Sequence, residues 1–261
     1  MNKTVDVTIS LISHNSKRDL EHLLPSLTES LKDISHEILL IDNCSTDHTD
    51  EFIQQHYPTI MYRKNEKRLG YGANHNQNLK IAQGRYISLM NADILLGKDT
   101  FHKLIRFMDQ HQDIGITAPN MFNEDQSLQY SNKRYPTITD LFIRRFVPNS
   151  LKFLFRKRIA YYEMQDMGYD VIMDVPFISG AFMFSRTDLI QELSGFDERF
   201  FMYFEDVDLC RRVQRTHRTV YYPDVQIIHR WERAAHKSVR WATVFSLSAL
   251  TYFNKWGYQL Y

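Results

Sequence analysis

The chain has 261 residues, 43% hydrophobic and 24% charged, with a net charge of +1. That balance suits one large soluble α/β domain and excludes bulk electrostatic attraction to nucleic acid, so any basic surface must be local. No stretch approaches the ~20 apolar residues that span a bilayer, and Cys44 and Cys210, far apart and without CxxC spacing, read as reduced thiols.

Val5 to Ile12 is rich in β-branched residues and predicts a buried strand ending at Ser13-His14-Asn15. The polar residues ahead of it carry no secretory h-region. Leu20, Leu23, Leu24, Leu27 and Leu31 recur at helical spacing, with Pro25 a blemish in the run. Glu37 to Ile41 is a second buried strand, and Asp42 to Asp47 forms an Asx-rich turn that caps the next helix. Thr59 to Arg63 predicts a third strand. Gly70-Tyr71-Gly72-Ala73-Asn74 opens a helix to about Ala82, and Arg85 to Met90 is a fourth strand ending at Asn91-Ala92-Asp93. A helix over Asp99 to His111 and a strand over Ile114 to Ala118 follow. This alternation predicts a mostly parallel sheet with helices on both faces, and in such sheets ligands bind beyond the carboxyl ends of the strands. Three polar strand ends, at 13–15, 42–43 and 91–93, should therefore share one rim.

Beyond residue 120 the pattern changes. Residues 141–162 hold Arg144, Arg145, Lys152, Arg156, Lys157 and Arg158, no acid, and interleaved aromatic side chains. Phe177 to Ser185 reads as a strand with Ser179-Gly180-Ala181 at its centre. Thr219 to Tyr222 and Val225 to His229 read as two short strands around Pro223, and 236–256 reads as a final amphipathic helix with Trp241, Phe245, Tyr252, Phe253 and Trp256 near one face. The expected division is a first half over 1–120, a second half of the same domain over 121–235, and the helix over 236–261.

The segment from Gly195 to Arg212 is the richest in chemistry. An aromatic run, Phe200 to Phe204, leads into Glu205, Asp206 and Asp208, with Arg211 and Arg212 one turn later. Carboxylates crowded against apolar rings are desolvated and repel one another; both effects raise a carboxyl pKa and can produce a general base. The competing reading is the first turn of a surface helix, where acids suit the positive dipole end. Asp42 can accept a pyrimidine imide N–H or a ribose hydroxyl, or simply cap a turn, a part that Asp47 fits better. Asn91-Ala92-Asp93 offers a carboxylate to Mg²⁺ or Mn²⁺, or is only a turn. Gly70-x-Gly72 lacks the third glycine and the following acid of a dinucleotide site, leaving only a close backbone approach to a phosphate or sugar. His229 ends a strand, where a lone histidine is more often structural than a ligand, and His236 is the alternative. Residues 141–162 have no RNA-binding signature beside them, and their basic-aromatic pattern suits an anionic membrane surface better than a solvated loop.

Taken in order, Ser13-His14-Asn15, Asp42 to Asp47, Gly70 to Asn74, Asn91-Ala92-Asp93, Ser179-Gly180-Ala181 and Gly195 to Arg212 form a set that resembles the family-2 glycosyltransferases of GT-A fold. The set covers about residues 5–230, and Arg134-Tyr135-Pro136-Thr137 with Ile228-His229 is similar to the bacterial rhamnosyltransferase-type branch that builds surface polysaccharide. The resemblance implies a Rossmann-like, mixed, mostly parallel sheet flanked by helices, with a C-terminal acceptor-side extension. It implies that Ser13, Asn15 and Asp42 hold the donor nucleoside, that Asn74 approaches the ribose or diphosphate, and that Asn91, Ala92 and Asp93 stand where the family has Asp-x-Asp. Asp93 and His229 would hold Mg²⁺ or Mn²⁺. Asp206 would be the catalytic base with Glu205 as its neighbour, Asp208 a structural partner of Arg211 or Arg212, and Gly180 would leave room for the sugar.

The function so implied is inverting transfer of a sugar, with rhamnose the candidate, from a dTDP- or UDP-sugar to a saccharide on a polyprenyl diphosphate. The expected location is cytoplasmic, peripheral on the inner membrane face through 141–162, with no nucleic-acid partner. Two readings compete: a non-catalytic sugar-nucleotide or membrane-binding scaffold, which the presence of Asp93 and Asp206 opposes, and an RNA-binding protein resting on 141–162 alone.

Overall fold

The computed structural model describes residues 5–230 and 239–261; His236 and the first positions of the helix expected from 236 lie outside the described residues. Among the described residues nine strands form one sheet. Strands β1 (Val5–Ser13), β2 (His36–Asp42), β3 (Met61–Lys64) and β4 (Gly84–Met90) run parallel in the order β3-β2-β1-β4. The sheet continues through β8 (Phe182–Arg186), β6 (Ile114–Phe122), β9 (Arg218–His229) and β5 (Ile94–Leu96), with β6 and β9 parallel and the other pairs antiparallel. The short β7 (Met173–Asp174) runs antiparallel beside β9.

Period-2 alternation splits the core between the two sheet faces. On one face Val7, Ile9, Leu11, Tyr86, Phe182 and Phe184 pack under α1 (Lys17–Ser30) and α4 (Thr100–Gln110). On the other, Ile87, Leu89, Met183 and Ile116 meet α3 (Tyr71–Leu79), α7 (Thr187–Glu192) and α8 (Glu205–Val213). Leu20, Leu23, Leu24 and Leu27 are all buried beneath α1, each contributing roughly 1.5–3 kcal/mol. Pro25 stays inside that helix. It lies on the exposed face, where water can satisfy the Glu21 carbonyl that it leaves unbonded.

The structure revises two sequence expectations. Residues 219–229 belong to one continuous strand. The register with β6 slips between Pro119 and Asn120, so Pro223, Asp224 and Val225 form a bulge that needs no N–H from Pro223. Ser179-Gly180-Ala181 precedes β8 rather than lying inside a strand. The reason is that the Gly180 N–H and C=O bond side chains, those of Asp206 and Tyr71, instead of a ladder.

The acid-bearing helix α8 is not a surface helix: Glu205 and Asp208 are both buried. Asp208 is wholly buried. It accepts from Arg212 Nε at 2.9 Å, while Trp256 Nε1 at 2.8 Å and Lys255 Nζ at 2.6 Å reach it from α9 (Val239–Trp256). Arg211 instead lies over Tyr135 and Trp256 and donates to the Tyr252 hydroxyl. Phe200, Phe204, Val207, Tyr252 and Phe253 form a third apolar cluster beside this anchor. Helix α9 therefore clasps the acid-bearing segment from outside the sheet. Removing one partner of a buried ion pair leaves charge uncompensated, so Asp208→Ala is expected to cost ~3–5 kcal/mol, read as a lower urea midpoint. A wild-type midpoint would show that α8 holds its place without this anchor.

Candidate active site

The polar ends of β1, β2 and β4 lie side by side, as their order in the sheet requires. Above them is a cleft of about 190 Å³, and Asn74, Asn91, Ala92 and Asp93 line it. Three other residues expected at the donor site do not line it: Asp42 and Ser13 are buried behind its wall, and Asn15 is exposed to solvent. Asp42 is fully buried; its Oδ1 accepts from Ser45 N at 2.7 Å and its Oδ2 from the Tyr62 hydroxyl at 2.5 Å. Ser13 is also fully buried. Asn15, in a left-handed conformation at φ 55°, accepts at Oδ1 from Thr46 N and so ties the loop after β1 to the loop after β2. Asp47 does not cap the nearer helix α2 (Thr49–His56) alone: one oxygen accepts from Thr49 Oγ1 and the other from Lys17 N, the first N–H of α1.

The cleft wall is held by neutral amides. Asn43 Oδ1 accepts from Leu69 N at 2.9 Å, and its Nδ2 donates to Leu69 O at 2.9 Å. Asn65 bridges Asn43 and Asn74, and Asn74 Nδ2 donates to Gly70 O at 2.8 Å. The glycines of Gly70-x-Gly72 serve this architecture rather than a phosphate. A Cβ on Gly70 would stand 2.6 Å from Phe201 O, and one on Gly72 would strike the Phe196 ring. The loop before α8 thus lies directly on the start of α3, and Tyr71 N donates to Phe201 O at 2.8 Å. Asn76 completes the seam, accepting from Phe196 N at 2.8 Å and donating to Phe196 O at 2.9 Å. Gly195, at φ +67°, supplies the left-handed turn that this clamp needs, and a Cβ there would collide with Asn76 Oδ1.

Asp93 lines the cleft, and His229 lies buried behind it. His229 Nε2 lies 3.4 Å from Asp93 Oδ1. Burial pushes the Asp93 carboxyl up, but His229 and Asn91 outweigh it and hold it below its usual range. His229 Nδ1 lies 3.0 Å from Gln129 Oε1, and Gln129 Nε2 donates to His229 O and to Asn123 Oδ1. That pattern leaves the Gln129 oxygen to accept a proton from Nδ1, so in the neutral ring Nε2 carries the lone pair facing Asp93. An imidazole lone pair and a carboxylate oxygen so placed suit a shared divalent cation, with the amide behind the ring fixing its tautomer.

Asp206 stands on the other side of Tyr71. Its Oδ2 accepts from Gly180 N at 3.0 Å and its Oδ1 from Val207 N at 2.9 Å. Burial raises its pKa, while the two N–H groups and Lys133 pull against that rise. Glu205 is pushed well above the usual carboxylate range by burial and by the Asp206 charge, and its Oε2 has no hydrogen-bond partner among the described residues. Of the two acids Asp206, with an N–H on each oxygen, is the better placed to hold a charge. The Tyr71 hydroxyl donates to Gly180 O at 2.6 Å and is kept protonated by burial and by the carboxylates around it, Asp206 and Asp93 among them. A Cβ on Gly180 would sit 3.4–3.5 Å from Asp206 and Tyr71, filling the niche between them. Lys133, whose ammonium is pushed down to about 8 by burial and by Arg144, adds a weakly held positive charge near Asp206.

Tyr71, Gln129 and Lys133 carry no local sequence signal of a site. Gln129 lies in an irregular segment and is defined only by β9 folding back beside it. Tyr71 lies in a motif whose glycines and asparagine are its conspicuous residues.

The profile of the family Glycosyl transferase family 2 matches residues 8–192. Rhamnosyltransferase WbbL of Escherichia coli K12 is 28% identical over 234 residues, covering 85% of this chain and 83% of the relative. The N-acetylglucosaminyl-diphospho-decaprenol L-rhamnosyltransferase of Mycobacterium tuberculosis H37Rv is 26% identical over 238 residues, covering 84% and 74%. Among solved structures, the mannosyltransferase PcManGT of Pyrobaculum calidifontis, in complex with GDP-Man and Mn²⁺, superposes with a TM-score of 0.65 at 17% identity, over 97% of this chain and 65% of that one. S. aureus TarS 1-349 in complex with UDP gives 0.60 at 18% identity, over 96% and 66%. At such identities the likeness shows the fold, and the family match rests on the sequence. With most of its length inside that match, this chain belongs to glycosyl transferase family 2 and is a glycosyltransferase built on the GT-A fold.

Proposed function

We propose that the chain transfers a sugar, rhamnose in the first instance, from a nucleoside diphosphate to a saccharide carried on a lipid diphosphate, with inversion at the anomeric carbon. The observation that carries this reading is Asp206, an ionisable carboxylate fixed by two N–H groups beside the Gly180 niche, next to a cleft lined by Asp93 with His229 buried behind it. The choice of rhamnose and of a lipid-diphosphate acceptor is supported by what the two relatives are called.

The donor would lie along the strand-end rim, with its diphosphate toward Asp93 and its sugar toward the Gly180 niche. Asp93 and His229 would hold Mg²⁺ or Mn²⁺, whose chemistry when bound is to neutralise charge on the departing diphosphate. Asp206 would take the proton of the acceptor hydroxyl as that oxygen bonds to the anomeric carbon and the bond from carbon to diphosphate oxygen breaks. The single displacement inverts the centre, and the transition state has oxocarbenium character as in glycoside hydrolysis. Glu205, protonated and neutral, adds no second charge beside the base. Tyr71 holds the Gly180 carbonyl and so steadies the segment whose N–H orients Asp206.

Four outcomes are expected. Asp206→Asn should lower kcat by ~10²–10⁴, the usual worth of a general base, with donor affinity kept, whereas Glu205→Gln, which mimics the neutral acid, should retain activity at neutral pH. Because Asp206 must lose its proton and its pKa is raised, wild-type kcat should fall at an acidic pH above the usual carboxylate range. Equal losses in both variants would remove Asp206 from the role. In a thermal-shift panel of nucleotide sugars with and without Mn²⁺, dTDP-rhamnose should raise the midpoint most, since a ligand bound only by the folded state stabilises by mass action. No shift with any nucleoside diphosphate would sink the donor assignment. Gln129→Leu should raise the Mn²⁺ needed for half-maximal activity by about 10–100-fold, as for other partners that orient a ligating histidine. Unchanged metal demand would show that Gln129 does not set His229.

A further inference from the structure

The segment joining β6 to β7 leaves apolar side chains in water. Helix α5 (Ile138–Phe146) carries Phe142 and Phe146, one turn apart, their ring centroids 5.6 Å from each other and their exposures 59% and 57%. The 3₁₀ helix that follows, Asn149–Phe155, buries none of its residues, and Phe153 and Leu154 are 64% and 65% exposed. Six large hydrophobic side chains are exposed between 142 and 155. Soluble proteins rarely leave such a cluster uncovered without a use for it.

The cations of this stretch divide into two groups. Arg144 pairs with Glu163, and Arg158 pairs with Asp140 and donates to Thr137 Oγ1, so these two fasten α5 to α6 (Arg156–Tyr162). Lys152, Arg156 and Lys157 form no ion pair among the described residues and flank the exposed Phe153 and Leu154. Residues 141–162 contain no acid. Apolar side chains ringed by unpaired cations are complementary to a surface that is negative outside and hydrocarbon within. The exposed Leu151 and Leu154 suit hydrocarbon and give a base nothing to stack on, which favours a bilayer over RNA. The surface lies toward the Asp206 side of the cleft: Arg134 N donates to Tyr162 O at the end of α6, and the neighbouring Lys133 N donates to Phe177 O, three residues before Gly180.

We propose that the surface formed by α5 and the 3₁₀ helix docks on an anionic lipid bilayer. Phe153 and Leu154 enter the boundary between headgroups and acyl chains, and Lys152, Arg156 and Lys157 lie among the lipid phosphates. Docked this way, the acceptor side of the cleft faces the headgroup layer, where a saccharide on a lipid diphosphate is presented. This deepens the lipid-linked acceptor reading, yet the docking itself rests on the surface and not on the transfer chemistry.

The test is co-sedimentation of the full chain with phosphatidylglycerol-containing vesicles and with pure phosphatidylcholine vesicles. Binding is expected for the first, weakening with salt, and much less for the second. Phe153→Ser with Leu154→Ser, and separately Lys152→Glu with Arg156→Glu and Lys157→Glu, should each lower the apparent affinity at least about tenfold. These positions are exposed, Lys152 half-buried, and an unchanged melting midpoint will confirm that the variants fold. No binding to anionic vesicles, or binding by either variant equal to that of the wild type, overturns the proposal. So does concentration-dependent self-association that the same substitutions abolish, because a second copy would then be the occupant. Transfer to a water-soluble acceptor analogue should be unchanged in the variants. Vesicle binding without transfer to any lipid-diphosphate saccharide would leave the docking surface standing and remove the acceptor reading alone.

Discussion

A carboxylate inside a protein must be met by donors, and the bonds from the Gly180 and Val207 N–H groups to Asp206 set much of the architecture around it. To reach Asp206, Gly180 gives up a place in the sheet, so β8 starts only at Phe182. Its carbonyl, likewise without a ladder partner, is met by the Tyr71 hydroxyl. On the other side, Tyr203 and Phe204 both take left-handed backbone conformations, at φ 71° and 69°, to bring α8 in at the needed angle. Two adjacent non-glycine residues of this kind cost of order 1–3 kcal/mol each. The Phe204 ring, buried with Phe200, Val207, Tyr252 and Phe253, offsets that cost through apolar burial.

The cleft at the strand ends follows a different logic. Its wall is a lattice of asparagine amides, with few charges apart from Asp93, and the carboxylate of Asp42 is turned inward to Ser45 and Tyr62. Neutral amides can shape a cleft without repelling an anionic ligand. Ionisable groups are gathered into two pairs, Asp93 with His229 and Asp206 with Glu205. Tyr71 stands between these pairs and is acted on by Glu205, Asp206 and Asp93 together.

Much of this was legible in the residues. The β-branched runs and the leucine spacing gave β1, α1, β2 and β4 to within a residue or a few, because one period dominates each. The shared rim followed from parallel order alone. The misreadings came where tertiary bonds override local pattern. Ser179-Gly180-Ala181 reads as strand because its neighbours do, and only the distant Asp206 and Tyr71 draw Gly180 away. Pro223 reads as a break because the bulge that absorbs it is defined by β6. The acids of α8 also fit a dipole-stabilised surface turn locally, and what buries them comes from α9, more than thirty residues later. The reason for Gly70 and Gly72 was not legible either, because it lies in the distant Phe201 backbone and Phe196 ring.

The seam between α3 and the loop before α8 has a consequence for recombining this enzyme with its relatives. Gly70, Gly72 and Asn76 are matched to Phe201, Phe196 and Gly195 at van der Waals and hydrogen-bond distance. A crossover near residue 120, where the chain divides most naturally by sequence, would place the two sides of this seam in different parents. Chimeras cut there would inherit mismatched surfaces at the joint that leads into Asp206. Exchanging 70–76 and 195–204 together as one cassette would keep the joint intact, so the unit of inheritance here is a pair of distant segments.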